Sequence, residues 1–145
     1  MNANDATGAM GAEDMRRRIK SARVAQLGTV GRGGKPHVVP ITFAMSDAAL
    51  YFAVDHKPKK TADLQRLRNI AANPAVSVLV DHYEDDWTRL WWVRIDGSAR
   101  ILGDGAEFDQ AIALLTERYA QYRSARPGGP VVAIDVARIT GWSAS

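Results

Sequence analysis

Three lysines stand directly before the predicted start of a helix, at Lys57, Lys59 and Lys60. Thr61 follows them and is a good N-cap, because its hydroxyl can accept a hydrogen bond from a free backbone N–H of the first turn. A helix N-terminus offers unpaired N–H groups and the positive end of the helix dipole, so this segment is typical of a phosphate-binding site. From this segment alone, a solvated lysine loop fits the sequence equally well.

A second candidate group is aromatic: Trp87, Trp91 and Trp92 lie within six positions, close to Tyr83. Trp91 and Trp92 are adjacent on a predicted strand, so their side chains should point to opposite faces of the sheet. One then belongs to the core, and the other faces a groove, a partner chain or water; a core tryptophan and a dimer-interface tryptophan are favoured. Trp87, in an acidic loop, is a candidate for bordering a coenzyme ring.

Other kinds of chemistry find little support in the sequence. The chain has no cysteine, which excludes disulfides and thiolate sites. His37, His56 and His82 are isolated from one another and from acidic residues at metal-ligand spacing, so no metal is expected. No nucleophile motif of the Gly-x-Ser-x-Gly type occurs. The glycines at residues 31–34 join two predicted strands, which indicates a hairpin turn and not a dinucleotide-binding loop.

The elements that must position these residues are mainly strands. The hydrophobic pattern predicts strands over residues 24–30, 36–45, 50–54, 75–80, 90–102 and 131–136, and helices over residues 13–22, 61–72 and 107–123. The first three strands are expected to form an antiparallel meander, and Gly97 a bulge in the fifth strand. Arg66 and Arg68 fall off the apolar stripe of the second helix and are expected in solvent. Six strands in hairpin order predict a closed or nearly closed β-barrel with flanking helices.

Length and composition set the limits of these predictions. The 145 residues fit a single domain, expected over residues 13–145 after a disordered tail at residues 1–12. No apolar stretch is long enough to span a bilayer and the first residues do not resemble a secretion signal, so a cytoplasmic protein is expected. The net charge of +3 suits an anionic partner. An acidic segment at residues 84–86 argues against nucleic acid, so a small molecule is favoured.

Four segments together resemble the split β-barrel proteins of the pyridoxamine 5′-phosphate oxidase superfamily. They are residues 34–41 (GKPHVVPI), 57–64 (KPKKTADL), 73–80 (NPAVSVLV) and 84–99 (EDDWTRLWWVRIDGSA). The resemblance runs from Val24 to Trp142 and depends on the order and spacing of the segments. Within the superfamily the chain is most similar to the deazaflavin-dependent reductases that use coenzyme F420.

This resemblance implies a homodimer with the coenzyme bound between two protomers. The basic pair before the helix, Lys59 and Lys60, would then bind the coenzyme phosphate, assisted by Lys57 and the Thr61 hydroxyl. The backbone of the second strand, at Val39, Pro40 and Ile41, would line the ring. The basic residues of the first helix, at Arg16, Arg17, Arg18 and Lys20, would then meet the anionic coenzyme tail.

The sequence also departs from the oxidase itself. The arginine, serine and glutamine that the oxidase carries near Val39, Pro58 and Trp92 are missing, and so is its C-terminal arginine motif. These departures argue against vitamin B6 oxidation and favour an F420H2-dependent oxidoreductase that transfers hydride to an unsaturated organic substrate. An FMN-dependent oxidase or reductase of the same fold, and a coenzyme carrier without activity, are the alternatives.

Overall fold

A computed structural model of the chain describes residues 10–54 and 61–145. The described helices are α1 (Ala12–Ser21), α2 (Thr61–Ala72), α3 (Ala106–Arg118) and α4 (Ala120–Ser124). The described strands are β1 (Ala25–Val30), β2 (Pro36–Ile41), β3 (Ala44–Met45), β4 (Ala49–Ala53), β5 (Ala75–His82), β6 (Trp91–Leu102) and β7 (Val131–Ser143). A short 3-10 turn, Trp87–Arg89, precedes β6.

The seven strands form one antiparallel sheet in the order β2-β1-β5-β6-β7-β4-β3. The sheet curls into a half-barrel with helices at its flanks, which confirms the predicted mainly β barrel class. The predicted meander of the first three strands is right in its two local pairings, β1 with β2 and β3 with β4, but the strand predicted over residues 36–45 is divided into β2 and β3, which lie at opposite ends of the sheet. Strand β4 pairs with β3 and β7. Residues Ala49–Phe52 are all buried, and such a run requires cover on both faces of its strand.

The core lies inside the curl of the sheet. Alternate residues of the central strands point inward, among them Leu27, Val78 and Ile95, which are at most 1% exposed. Helix α1 covers this core with Met15 and Ile19. Met10, within the segment expected to be disordered, also packs against it. Helix α1 begins at Ala12, also within that segment, and residues 1–9 lie outside the described residues.

Gly97 marks a register shift between β6 and β7, which confirms the predicted bulge. A Cβ atom at this position would lie 2.3 Å from the backbone oxygen of Asp135 and 2.9 Å from Cγ2 of Ile134. The strands therefore approach at a distance that only glycine permits.

Two predicted boundaries near the C-terminus are wrong. The helix expected over residues 107–123 is interrupted at Tyr119, whose backbone is extended (φ −118°, ψ 119°). The Tyr119 hydroxyl accepts a hydrogen bond from the Phe43 N–H (3.1 Å) and lies 2.9 Å from the Arg23 carbonyl oxygen, so tertiary contacts accompany the break. The last strand extends to Ser143, because its second half pairs with the start of β6, with Trp142 opposite Trp92.

Candidate functional site

The outer face of β1, β2, β5 and β6 carries an apolar cavity of about 490 Å³. Strand alternation turns Val38 and Leu79 outward, and they are 67% and 36% exposed. Val38 lies opposite Gly28 of β1, and Leu79 lies between Gln26 and Arg94. The lining is predominantly apolar and includes Tyr83, Trp91 and Trp92. Such a surface suits a flat, largely apolar ring.

Several polar groups line this cavity, and two of them, on Ser77 and Arg94, bond the carboxylate of Asp96. The Ser77 hydroxyl donates to Oδ1 of Asp96 (2.6 Å), and Nε of Arg94 donates to Oδ2 of the same carboxylate (3.3 Å). The guanidinium of Arg94 also lies over the Trp92 ring, 6.0 Å from its centroid. The Gln26 side chain is exposed beside them and offers an amide to a bound ligand.

Trp87 contacts a residue that lines the cavity. Its side chain is 60% exposed, and its Nε1 donates to the hydroxyl of Tyr83 (3.4 Å), which lines the cavity. Asp86 fixes the turn that carries Trp87, since its carboxylate accepts from the N–H (3.1 Å) and the hydroxyl (2.6 Å) of Thr88. These two hydrogen bonds lower the pKa of Asp86 below its usual value. A role for Trp87 beside a coenzyme ring stays a prediction.

Trp91 and Trp92 lie on neighbouring positions of β6, and both are half-buried. Trp91 packs against the main core. Its ring also stacks on His82 (centroids 6.3 Å apart, planes at 16°) and lies under the Arg18 guanidinium, 5.1 Å from the centroid. His82 in turn contacts Glu84. This cluster joins helix α1 to the end of the sheet that carries the cavity.

The β2 residues assigned to the coenzyme site divide between the two faces of the sheet. Val39 and Ile41 point into the core, whereas the Pro40 side chain is exposed on the outer face. Strand β2 is at one end of the described sheet, so one of its edges has no neighbouring strand there. Backbone groups along that edge can therefore bond a ligand, while the side chains of Val39 and Ile41 serve packing.

The expected phosphate cradle is described only in part. Helix α2 begins at Thr61, so this residue, predicted to be the N-cap, is the first residue of the helix itself. Lys57, Lys59 and Lys60 lie outside the described residues, so their role stays a prediction.

Several basic residues are engaged within the chain. Arg66 is half-buried with its guanidinium over the Phe52 ring, 5.6 Å from the centroid, so the expectation that it is solvated is wrong. In helix α1, Arg17 and Arg18 pair with Asp14, and Arg16 donates to the Asp47 carbonyl (3.4 Å).

The sequence reasoning missed the residues that form the floor of the cavity, above all Val38, Leu79 and Gln26. The available signal was strand alternation: Val38 lies one position before Val39 and therefore points to the other face. Which of the two faces is open depends on how the sheet curls, and a strand pattern does not contain that information.

Two searches of the described residues were negative. Across residues 10–54 and 61–145 no group of three or more histidine, aspartate or glutamate side chains is arranged to hold a metal ion. Within the same ranges, no helix has the length and apolar character required to cross a membrane.

Comparisons with known proteins agree with the fold. No curated protein sequence matches this chain. Among solved structures, a conserved hypothetical protein of Mycobacterium tuberculosis has a TM-score of 0.75 at 22% identity, over 99% of this chain and 91% of that one. An FAD-binding protein of Mesorhizobium loti has a TM-score of 0.72 at 26% identity, over 94% and 97%. HutZ, the haem storage protein of Vibrio cholerae, has a TM-score of 0.70 at 18% identity, over 91% and 96%.

A family model described as pyridoxamine 5′-phosphate oxidase matches residues 12–143, from the start of helix α1 to the end of strand β7. The match thus includes both strands that form the bulge at Gly97 and all four strands beneath the apolar cavity. This chain belongs to the pyridoxamine 5′-phosphate oxidase family.

Proposed function

We propose that this protein is an F420H2-dependent oxidoreductase that reduces an unsaturated organic substrate. The observation that carries the proposal is the apolar cavity on the outer face of β1, β2, β5 and β6 in a member of this family. When bound, reduced F420 supplies a hydride from its C5 atom. The protein then has to bind the coenzyme, orient it and exclude water.

The described residues suit the ring of such a coenzyme. Val38 and Leu79 offer an apolar surface, and the free edge of β2 offers backbone donors and acceptors next to it. A flavin or deazaflavin carries alternating donor and acceptor groups along its pyrimidine edge, and exposed strand backbone matches such a pattern. Trp87 and Tyr83, joined by their hydrogen bond, would shield one rim from water.

The phosphate of the coenzyme is assigned to the N-terminus of α2. Lys59 and Lys60 precede this helix, Lys57 is two positions earlier, and Thr61 is its first residue. The helix dipole and unpaired N–H groups favour an anion at this end, and each lysine adds a full charge. In the sequence, the proposed cradle lies between the end of β4 at Ala53 and the start of α2 at Thr61.

A second copy of the chain is proposed to complete the site. Val38 is 67% exposed on a face of the sheet that no described helix covers, and such apolar area is usually buried by a partner. A homodimer formed through this face would enclose the coenzyme between protomers and would remove water from the ring.

The choice of F420 over FMN depends on ligand chemistry. The residues that the oxidase uses for the flavin phosphate are missing near Val39 and Pro58, whereas lysines are concentrated at residues 57–60. A coenzyme with a phosphate and an oligoglutamate tail carries several negative charges and suits them better. A flavin is the second candidate, favoured by the 26% identical FAD-binding structure from Mesorhizobium loti. The third, a carrier without turnover, is favoured by the fold similarity to the haem storage protein HutZ.

Titration of the purified protein with F420 and with FMN, followed by absorbance and fluorescence, tests the coenzyme. We expect saturable binding of F420, one molecule per protomer, and weaker binding of FMN. Tight FMN binding without affinity for F420 would overturn the proposal in favour of a flavin enzyme. Turnover of reduced F420 against a panel of quinones and enones then separates an enzyme from a carrier, since a carrier binds the coenzyme without oxidising it.

A further inference from the structure

We propose that a second cavity, between the β1–β2 turn and helix α2, is a binding site for a small polyanion, a molecule that carries phosphate or carboxylate groups. The cavity has a volume of about 650 Å³. Its polar lining consists of Arg32, Lys35, His37, Gln65, Arg68 and Asn69. None of its lining residues belongs to the apolar cavity of the proposed coenzyme site, so the two cavities are formed by different residues.

The charged side chains that line this cavity are all basic. Arg32, Lys35 and Arg68 line it, and no aspartate or glutamate does. Within the described residues none of these three cations has a carboxylate partner, whereas Arg94 and Arg100 elsewhere on the sheet are paired with aspartate. Like charges that line a common cavity repel one another, and a bound anion would relieve this repulsion.

The C-terminal end of α2 also borders the cavity, at Ala71 and Ala72. A helix C-terminus attracts cations, which offers a simpler reason for basic residues here. Its effective charge is only about −0.5, however, against three full positive charges. Most of the positive charge therefore remains for a ligand.

Uncharged hydrogen-bonding groups form the floor of the cavity. Asn69 is only 4% exposed; its Nδ2 donates to Oγ1 of the buried Thr29 (3.0 Å), and its Oδ1 accepts from Nε2 of Gln65 (2.7 Å). Nδ1 of His37 is buried without a hydrogen-bond partner among the described residues. Such an unpaired polar atom is costly inside a protein.

Gly31 fixes the basic turn against the helix. A Cβ atom at this position would lie 2.4 Å from Oδ1 of Asn69, so any other residue in this turn would displace the Asn69 side chain of α2. Gly34 closes the turn through a hydrogen bond from its N–H to the Gly31 carbonyl oxygen (3.0 Å). Arg32 and Lys35 are thereby carried on a turn that is packed in place before a ligand arrives.

The size of the cavity limits the class of ligand. At about 650 Å³ it falls within the usual range of sites for small organic molecules, and it is much larger than one phosphate ion. We therefore infer an organic anion with its charged groups toward Arg32, Lys35 and Arg68.

Calorimetric titration with pyrophosphate and with citrate tests the site, using the full chain with Lys59→Gln and Lys60→Gln so that the proposed cradle does not contribute. Two double variants are compared in this background. The cavity variant carries Arg32→Gln and Arg68→Gln, and the control, with equal loss of charge, carries Arg126→Gln and Arg138→Gln. Both control residues are exposed and lie outside the cavity.

We expect saturable binding of at least one probe, weakened about tenfold or more by the cavity variant and little changed by the control, because charge-assisted hydrogen bonds contribute this much. Tighter binding of pyrophosphate would support a phosphate ligand, and tighter binding of citrate a carboxylate. Absence of saturable binding, or equal weakening by the two double variants, would overturn the proposal. Since no coenzyme is present, neither result depends on the proposed function.

Discussion

The guanidinium of Arg100 on strand β6 meets the carboxylate of Glu107, in the first turn of α3, through two hydrogen bonds of 2.9 and 3.0 Å. On its other side the same guanidinium contacts both carboxylate oxygens of Asp135 on β7, at 2.7 and 2.9 Å. Tyr51 of β4 completes the network by donating to Glu107 (2.9 Å), and burial together with this contact raises the pKa of Tyr51. One arginine thus connects two strands to the start of a helix.

Replacing Arg100 by Gln should lower the free energy of unfolding by about 1 kcal/mol at neutral pH, since the network is bidentate but partly exposed and screened by solvent. The effect should also depend on pH. Hydrogen bonds from Arg100, and then from Tyr51, lower the pKa of Glu107 in the folded state. This contribution is present above the unfolded-state pKa of about 4.3 and is lost as the pH falls through the folded-state value.

Urea unfolding of wild type and Arg100→Gln between pH 7 and pH 3 measures this difference. The two stabilities should converge toward the acid end, while Arg126→Gln, at an exposed arginine that forms no ion pair with the described residues, should follow wild type throughout. A difference that is independent of pH would contradict the assignment to Glu107.

Tyr119→Phe should destabilise the fold by about 1–3 kcal/mol, because it removes the acceptor of the buried Phe43 N–H (3.1 Å) and leaves that donor unpaired. The hydroxyl also reaches the Arg23 carbonyl at 2.9 Å. Tyr122→Phe is the matched control, since among the described residues its hydroxyl bonds the exposed Thr42 side chain (2.9 Å). Thermal unfolding of both variants measures the difference, and equal melting temperatures would refute the role given to Tyr119.

Tyr119 also illustrates what the sequence could and could not predict. Apolar residues at helical spacing correctly predicted a helix that begins near residue 107, because that signal is local. The break at Tyr119 accompanies contacts to Phe43 and Arg23, which are 76 and 96 positions away, and no local pattern contains them. The same limit applies to β4, whose apolar run predicted a strand but not its pairing with β7.

In the candidate site, too, the sequence predicted the local features but not those that depend on long-range contacts. The β2 segment was correctly recognised as a strand, and the alternation of Val38 and Val39 follows from strand geometry. To predict that Val38 and not Val39 is exposed, one must know how the sheet curls, because the curl leaves one face of β1, β2, β5 and β6 uncovered. The same limit applies to Arg66, which was predicted to be solvated because it lies off the apolar stripe of its helix. Its contact with Phe52 depends on how α2 lies against β4.

Val38→Glu should convert the proposed homodimer into a monomer, because it introduces a charge in the centre of the apolar face. The fold should be preserved, since this side chain is 67% exposed in the isolated chain. Val24→Glu makes the same change at an exposed valine (52%) that does not line the cavity, and it should leave the association unchanged.

Light scattering after size-exclusion chromatography measures the mass of both variants, and far-UV circular dichroism confirms that they are folded. A wild-type protein that is already monomeric, or dissociation by Val24→Glu alone, would refute the proposed interface.

Lys60→Ala should weaken F420 binding by about 1.5–3 kcal/mol, the range expected when one charge-assisted hydrogen bond to a phosphate is lost. Arg126→Ala removes the same charge from an exposed position that lies in neither cavity, so it should have little effect. Fluorescence titration of the two variants at low and moderate salt measures the affinities, and the dependence on salt should be shallower for Lys60→Ala because one ionic contact is missing. Equal losses of affinity in the two variants would mean that the phosphate is attracted by the overall positive charge of the protein and has no dedicated site before helix α2.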